Sequence, residues 1–259
     1  MAYAQERITP YGTTAAKSVQ VAQMFNNIAP TYDALNHGMS LGIDRYWRGR
    51  TLLALAESLK TGPDTAGTPM VMLDVATGTG DFAIEAARRF HPSRLVAIDI
   101  SARMISMARR KVRQAGLGDI VSIEQSDGLD MLFDDDTFDA ATVAFGIRNF
   151  SNLDRGLREI WRVLKPGGRI AITELGRPRH TPVRQLFDIY ANTVLPLYGW
   201  LFPRDAQAYR YLTASIEAFP QAEVVAAALQ RAGFTDVDFR HMTFGLCTRY
   251  VATKKVLSS

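Results

Sequence analysis

The chain has 259 residues, long enough for one large α/β domain with a full core. Apolar residues make up 47% and charged residues 22%, the composition of a soluble globular protein. The net charge is only +4, and one cysteine with four scattered histidines gives neither a disulfide framework nor zinc-ligand spacing, so no metal is expected.

The start, Met1 to Thr14, is polar and does not read as a signal peptide. From Ala15 a helical period places Val21, Met24, Phe25 and Ile28 on one face, and Pro30 is expected to end that helix or start a new turn. Thr31 to Ser40 has no period and reads as a connection or a lid. A second helix spans about Asp44 to Leu59 with Trp47, Leu52, Leu53 and Leu55 inward, and Thr61 to Pro69 is a Gly/Pro/Thr linker. The core then alternates strand and helix. Strand one is Met70 to Ala76, a helix runs from about Asp81 to Phe90, and strand two is Arg94 to Ile100. Ser101 is a candidate N-cap for a helix to about Ala115, whose Arg109-Arg110-Lys111 group with Arg113 reads as a solvated face, not a nucleic-acid stripe. Strand three is Ile120 to Gln125 and strand four is Phe138 to Phe145. A helix from Leu153 to Leu164 is stopped by Lys165-Pro166-Gly167-Gly168, and strand five is Arg169 to Leu175. This alternation implies right-handed crossovers and a parallel sheet covered on both faces.

His180 to Ala218 breaks the pattern with a long aromatic insertion of helical character. A helix from Gln221 to Ala232 follows, ended by Gly233. Strands of about Val237 to Phe244 and Cys247 to Thr253 are joined too tightly for a crossover, so they form an antiparallel hairpin. No apolar run approaches the ~18 residues of a membrane span. The expected setting is a reducing cytoplasm, with a membrane surface within reach at the inner face.

Gly78-Thr79-Gly80-Asp81-Phe82-Ala83 follows strand one and fits the dinucleotide pattern, and Asp99 ends strand two where a ribose-binding acid belongs. Spacing alone leaves NAD open. Charge weighs against it. Asp74 and Asp81 bracket the turn with no Lys or Arg between them, and a pyrophosphate there would meet a carboxylate. S-adenosylmethionine carries a sulfonium and an ammonium, and carboxylates near the turn would attract both. Asp74 has a plainer alternative role, capping the N–H groups of its own turn. Asp99 can accept both ribose hydroxyls. Asp127, just past strand three, stands where the adenine amine would point, or is a simple turn residue before Gly128.

Four segments carry a resemblance: Phe25 to Asp33 with Asn36; Leu73 to Asp81; Phe145-Gly146-Ile147-Arg148-Asn149; and Tyr209-Arg210-Tyr211-Leu212 with Ser215-Ile216. With them the chain resembles the UbiE-type family of ubiquinone/menaquinone biosynthesis C-methyltransferases, from about Val21 to Lys255. The resemblance implies a Rossmann-like class I methyltransferase fold, with a seven-stranded, mostly parallel sheet and a C-terminal antiparallel hairpin. It implies a lid region at 1–68, a donor-binding core at 69–259 and a substrate-side insertion at about 180–218. It also implies S-adenosylmethionine as co-substrate, held by Thr79 with Gly78 and Gly80, by Asp99, and by Asp127 with Gly128. Some members place a serine donor contact where this chain has Ala144.

The implied acceptor is a polyprenyl quinol. Asn36-His37, Leu41 to Arg45 and Phe244 to Thr248 look like menaquinone-pathway members, which favours 2-demethylmenaquinol over a ubiquinone precursor. Arg148, at the carboxyl edge of strand four, is the candidate to stabilise the phenolate or activate a water, since arginine stays protonated. Its alternative is a structural pair with an acid such as Asp33. Tyr32, with Asp33 and Asn36, is a candidate for the lid over the donor, against a plain packing and capping role. Val194 to Phe202 could face a prenyl tail or a membrane surface, with packed core and a homodimer contact as the plainer reading. Rival readings are a methyltransferase for another small molecule, an NAD oxidoreductase and a non-catalytic scaffold.

Overall fold

The computed structural model, described over residues 2–40, 42–60, 69–178, 180–189, 193 and 206–255, is built on a seven-stranded sheet. The strands are β1 (Val71–Val75), β2 (Arg94–Asp99), β3 (Val121–Gln125), β4 (Phe138–Ala144), β5 (Leu164–Leu175), β6 (Phe234–Met242) and β7 (Cys247–Lys254). Their order is β3-β2-β1-β4-β5-β7-β6. β1 to β5 pair in parallel, and β7 lies antiparallel between β5 and β6. The strand order reverses between β1 and β4, so the carboxyl ends of those strands open a crevice at the switch point.

The strands alternate their side chains between two cores, as a period of two requires. Leu73, Val75, Val96 and Ile98 face one core; Met72, Leu95 and Ala97 face the other. The second core is closed by α2 (Ile43–Lys60), α3 (Asp81–Phe90) and α4 (Ala102–Gln114), and the first by α5 (Leu153–Val163) and the later helix Ala222–Arg231. α5 buries Leu153, Leu157, Ile160 and Val163 completely, each such side chain contributing about 1.5–3 kcal/mol. Ser101 caps α4 by accepting from the Met104 N–H at 3.3 Å.

Several boundaries differ from expectation. Pro30 does not end the first helix: α1 runs Lys17–Ser40 with Pro30 inside. The carbonyl that loses its helical partner to Pro30 is that of Asn26. It accepts instead from the Arg103 guanidinium of α4 at 3.1 Å. β5 begins at Leu164 and includes Lys165 to Gly168, with a register irregularity against β4. β6 starts at once after Gly233, whose φ of 107° turns the chain. A 3-10 turn, Thr243–Gly245, joins β6 to β7. Of the insertion, α6 (Val183–Ile189) and α7 (Ala206–Ala218) are described, α7 being followed by α8 (Ala222–Arg231). The linker at 61–68, Leu41, the aromatic run at 194–202 and the side chains of Asn36 and His37 lie outside the described residues.

Candidate active site

β1 ends at Val75, and the turn into α3 needs three positive φ angles: 55° at Ala76, 56° at Gly78 and 89° at Gly80. The Gly78 N–H donates to Asp99 Oδ2 at 2.8 Å, and the Ser101 N–H donates to Asp99 Oδ1 at 2.8 Å. Burial pushes the Asp99 carboxyl up, and these backbone donors act against that shift. Each oxygen retains capacity to accept a further hydrogen bond. At Gly80 an added Cβ would lie 3.1 Å from the Ala108 Cβ, so its bare backbone lets α3 approach α4.

A narrow cleft of about 70 Å³ opens beside this turn. Gly78, Asp99, Asp127 and Gly128 line it, with Ala144 at the end of β4. α1 supplies Ser18, Val21, Phe25 and Tyr32 to its walls. Asp127 closes its own turn by accepting from the Leu129 N–H at 3.0 Å, and it also faces the cleft. No lysine, arginine or histidine is among the described residues that line it. Two acids without a cation fit a positively charged nucleoside and oppose a pyrophosphate.

Asp81 is not an unanswered charge beside the turn. Lys111 Nζ reaches Asp81 Oδ1 at 2.7 Å, Asp33 Oδ2 at 2.7 Å and Thr79 Oγ1 at 2.9 Å. Lys111 is therefore a tie between α1, α3 and α4, not part of a solvated face, and it answers the charge of Asp81. The Thr79 hydroxyl donates to Asp33 Oδ1 at 2.7 Å, so its side chain is committed to this tie and does not line the cleft. Asp74 lies inside β1, where Oδ1 accepts from Thr142 Oγ1 at 2.6 Å and Oδ2 has no hydrogen-bond partner. Burial pushes its carboxyl up to about 7. Its closest partner is the strand neighbour Thr142, and the Thr77 hydroxyl of the turn also acts against the burial shift; the alternative role, capping the turn's backbone N–H groups, is not what holds it.

A second cavity, of about 740 Å³, lies across α1 from the cleft and is mainly apolar. Tyr32, Phe145 and Asn149 line both spaces, so the two meet there. Arg148 lines the larger one. The alternative read for it, a pair with an acid such as Asp33, is met by Glu174, while Asp33 belongs to Lys111. Arg148 Nη1 donates to Glu174 Oε1 at 2.8 Å and to the Phe145 carbonyl at 2.6 Å, and its backbone N–H reaches Glu174 Oε2 at 3.1 Å. Burial is the largest influence and opposes its charge, but Glu174 together with the neighbouring Tyr32 and Tyr211 raises the guanidinium above its ordinary value. Its buried Nε has no hydrogen-bond partner. Tyr211 donates to Asn149 Oδ1 at 3.1 Å and, buried beside this pair, is pushed well above the ordinary phenol range.

Sequence reasoning missed Glu174 and the service of Asn149 to both cavities. Glu174 ends β5 much as Asp99 ends β2, and an acid at a strand's carboxyl end was the signal that could have found it.

The model of the ubiE/COQ5 methyltransferase family matches residues 13–254. A demethylmenaquinone methyltransferase of Bacteroides fragilis is 48% identical, covering 98% of this chain and 100% of that protein. One from Porphyromonas gingivalis is 41% identical over 96% of this chain and 98% of that protein. A ubiquinone/menaquinone biosynthesis C-methyltransferase UbiE of Geobacter sulfurreducens is 40% identical over 96% and 93%. Among solved structures, the [4+2]-cyclase SpnF superposes with a TM-score of 0.65 at 20% identity, over 92% of this chain and 96% of that one. A SAM-dependent methyltransferase from Aquifex aeolicus gives 0.52 at 21% identity, over 71% and 82%. These structures share the fold, and a cyclase among them shows that the fold alone does not fix the chemistry. The family is fixed by sequence: with a full-length family match and relatives near half identical, this chain belongs to the ubiE/COQ5 methyltransferase family.

Proposed function

We propose that the chain transfers a methyl group from S-adenosylmethionine to a ring carbon of 2-demethylmenaquinol. One observation carries this reading. An acid-lined cleft and a large apolar cavity meet at Tyr32, Phe145 and Asn149, with Arg148, held by Glu174, lining the larger one next to Asn149. The donor would be held by Asp99 and Asp127, with Gly78 and Gly128 leaving room for it and the Thr79 backbone in the turn. It supplies an electrophilic methyl on a sulfonium. The acid-lined cleft supports it over NAD.

The acceptor must present a carbon made nucleophilic by loss of a phenol proton. A phenol has a pKa of ~10, and a fixed guanidinium beside it favours the anion. Arg148 is oriented by Glu174 and stays charged, so it stabilises the phenolate and does not remove the proton itself. Tyr32 and Phe145 hold the ring against the donor cleft and exclude water. α1, which walls the cleft, is the lid. Leu186 lines the large cavity and is 63% exposed, so it stands where the cavity meets solvent. The prenyl tail leaves there, where exposed Ile189 follows Leu186 on α6. No described helix is long and apolar enough to cross a membrane.

Arg148→Lys keeps a charge opposite Glu174 but loses the planar fork. We expect kcat with a short-chain demethylmenaquinol to fall by about tenfold or more, since a charged transition-state contact is lost. Affinity for S-adenosylmethionine by calorimetry should not change. Unaltered kcat at saturating quinol would remove Arg148 from the chemistry.

A further inference from the structure

We infer that Lys17 is a second cation of the acceptor site, a positioning residue that acts from behind Tyr211 and Arg148 to favour the quinol anion without touching it. This rests on the quinol reading above.

Lys17 opens α1, one residue before Ser18 of the donor cleft. It is 7% exposed, and its Nζ donates to the Gln5 carbonyl at 2.6 Å. Among the described residues no carboxylate lies within ion-pair distance of it. Nζ also stands 6.0 Å from the centre of the Tyr211 ring, at the outer limit of a cation–π contact. Tyr211 lines the large cavity, and its hydroxyl donates to Asn149. One side chain therefore separates the ammonium from the acceptor cavity.

The start of the chain keeps it there. The 3-10 turn Ala4–Arg7 packs against the 3-10 turn Ile147–Asn149, which carries Arg148. Gln5 is wholly buried. Glu6 Oε1 accepts from the Leu153 N–H at 2.7 Å and Oε2 from the Tyr3 N–H at 3.0 Å, which anchors the turn to the start of α5. Gln20 of α1 accepts from the Tyr11 N–H at 3.0 Å and donates to the Thr13 and Ala15 carbonyls at 3.1 and 2.7 Å. These bonds fold the rest of the segment onto α1. An ammonium sealed in this way and bonded to a carbonyl alone costs desolvation that packing does not offset. Methionine would fill the space without that cost, so the charge itself is what the site keeps.

Glu174 answers the charge of Arg148. Lys17 is then the charge left over at this end of the cavity. The groups that face it are Glu6 from the first turn, Arg148 from beyond β4 and Tyr211 from α7. Burial lowers its pKa most, Glu6 raises it and Arg148 lowers it, which leaves it at about 8. When the acceptor loses its phenol proton, negative charge develops beside Arg148, and attraction to Lys17 grows with it. Above pH 8 the ammonium loses its proton, and the attraction goes with it.

The full chain, Lys17→Met and Lys17→Arg are compared anaerobically from pH 6 to 10, on a short-chain demethylmenaquinol with saturating S-adenosylmethionine. The parent should exceed Lys17→Met by about tenfold in kcat at pH 6.5, and that ratio should fall through pH 8 toward a constant. KM for the quinol should change little, since the quinol binds uncharged. Arginine stays charged, so Lys17→Arg should match the parent at pH 6.5 and overtake it above pH 8.5. Affinity for S-adenosylmethionine by calorimetry should be equal in all three. A parent-to-methionine ratio that is the same at every pH reports packing alone and overturns the inference. A ratio that grows with pH would make the neutral amine a base, and overturns it too. The arginine variant decides alone if Lys17→Met does not fold: following the parent's pH profile throughout would sink the idea. No turnover of the quinol by the parent would instead remove the quinol reading on which this stands.

Discussion

A carboxylate buried as completely as that of Asp74 is costly to ionise, and its pKa near 7 expresses that cost. The unfolded value is the ordinary 3.8, so the folded state binds the proton more tightly. Its contribution to stability is present below pH 4 and is lost as pH rises toward 7, above which the loss is complete. Asp74→Asn keeps an oxygen for the Thr142 hydroxyl and removes the ionisation. The variant should therefore melt close to the parent at pH 4 and several degrees higher at pH 8, by thermal scans without ligand. A gain as large at pH 4 as at pH 8 would show that ionisation is not the cause. At this scale the sequence was readable where a residue's role depends on its place in the chain. Asp99, at the end of strand two, and Asp127, just past strand three, were read from such places, and both line the cleft. It was unreadable where the role depends on a partner: Thr142 faces Asp74 only through the β1–β4 register, and Glu174 meets Arg148 across 26 residues. Lys111 lay in a run of basic residues and showed no sign of the two acids it joins.

Elements were legible where period and punctuation agreed. The Ser101 cap, the glycine turn after β1 and the C-terminal hairpin follow from local chemistry alone. Pro30 is the instructive exception. Proline removes a helical hydrogen bond and so reads as a stop, but another element took over the freed carbonyl. Asn26 is the hinge pin of that arrangement. Its carbonyl accepts from Arg103, and its Oδ1 accepts from Ser101 Oγ at 2.8 Å and the Arg103 N–H at 3.0 Å. Thus α1 is clamped to the N-terminus of α4, which also carries Ser101 beside Asp99. Asn26→Ala deletes the side-chain half of the clamp. We expect a loss of about 1–2 kcal/mol from two missing hydrogen bonds, read as a lower urea midpoint. The KM for S-adenosylmethionine should rise as well, because the same helix walls the cleft. An unchanged midpoint and KM would mean that α1 is held by its apolar face alone.

On the scale of the molecule, the sheet gathers the chemistry at one edge, and the apolar rim of the large cavity leads outward from it. Phe244 belongs to that rim by position: the turn it occupies is tied to α2 through the Trp47 indole, which donates to Thr243 Oγ1 at 2.8 Å, and Leu246 just beyond lines the cavity. Phe244 itself is 80% exposed and held at a φ of 56°. A bulky residue in the left-handed region carries strain of about 1 kcal/mol or more, and an exposed ring recovers none of it by packing. Contact with a lipid surface would recover it, since the ring would leave water. Phe244→Gly removes both the strain and the ring. The variant should be more stable than the parent in denaturant, because glycine accepts this φ freely. It should also co-sediment less with anionic liposomes and turn over a long-chain quinol in liposomes more slowly, with a short-chain quinol in solution unaffected. A residue selected for folding alone should not show this opposition. Stability gained with liposome binding unchanged would leave Phe244 as an unexplained local strain and take the membrane away from this face.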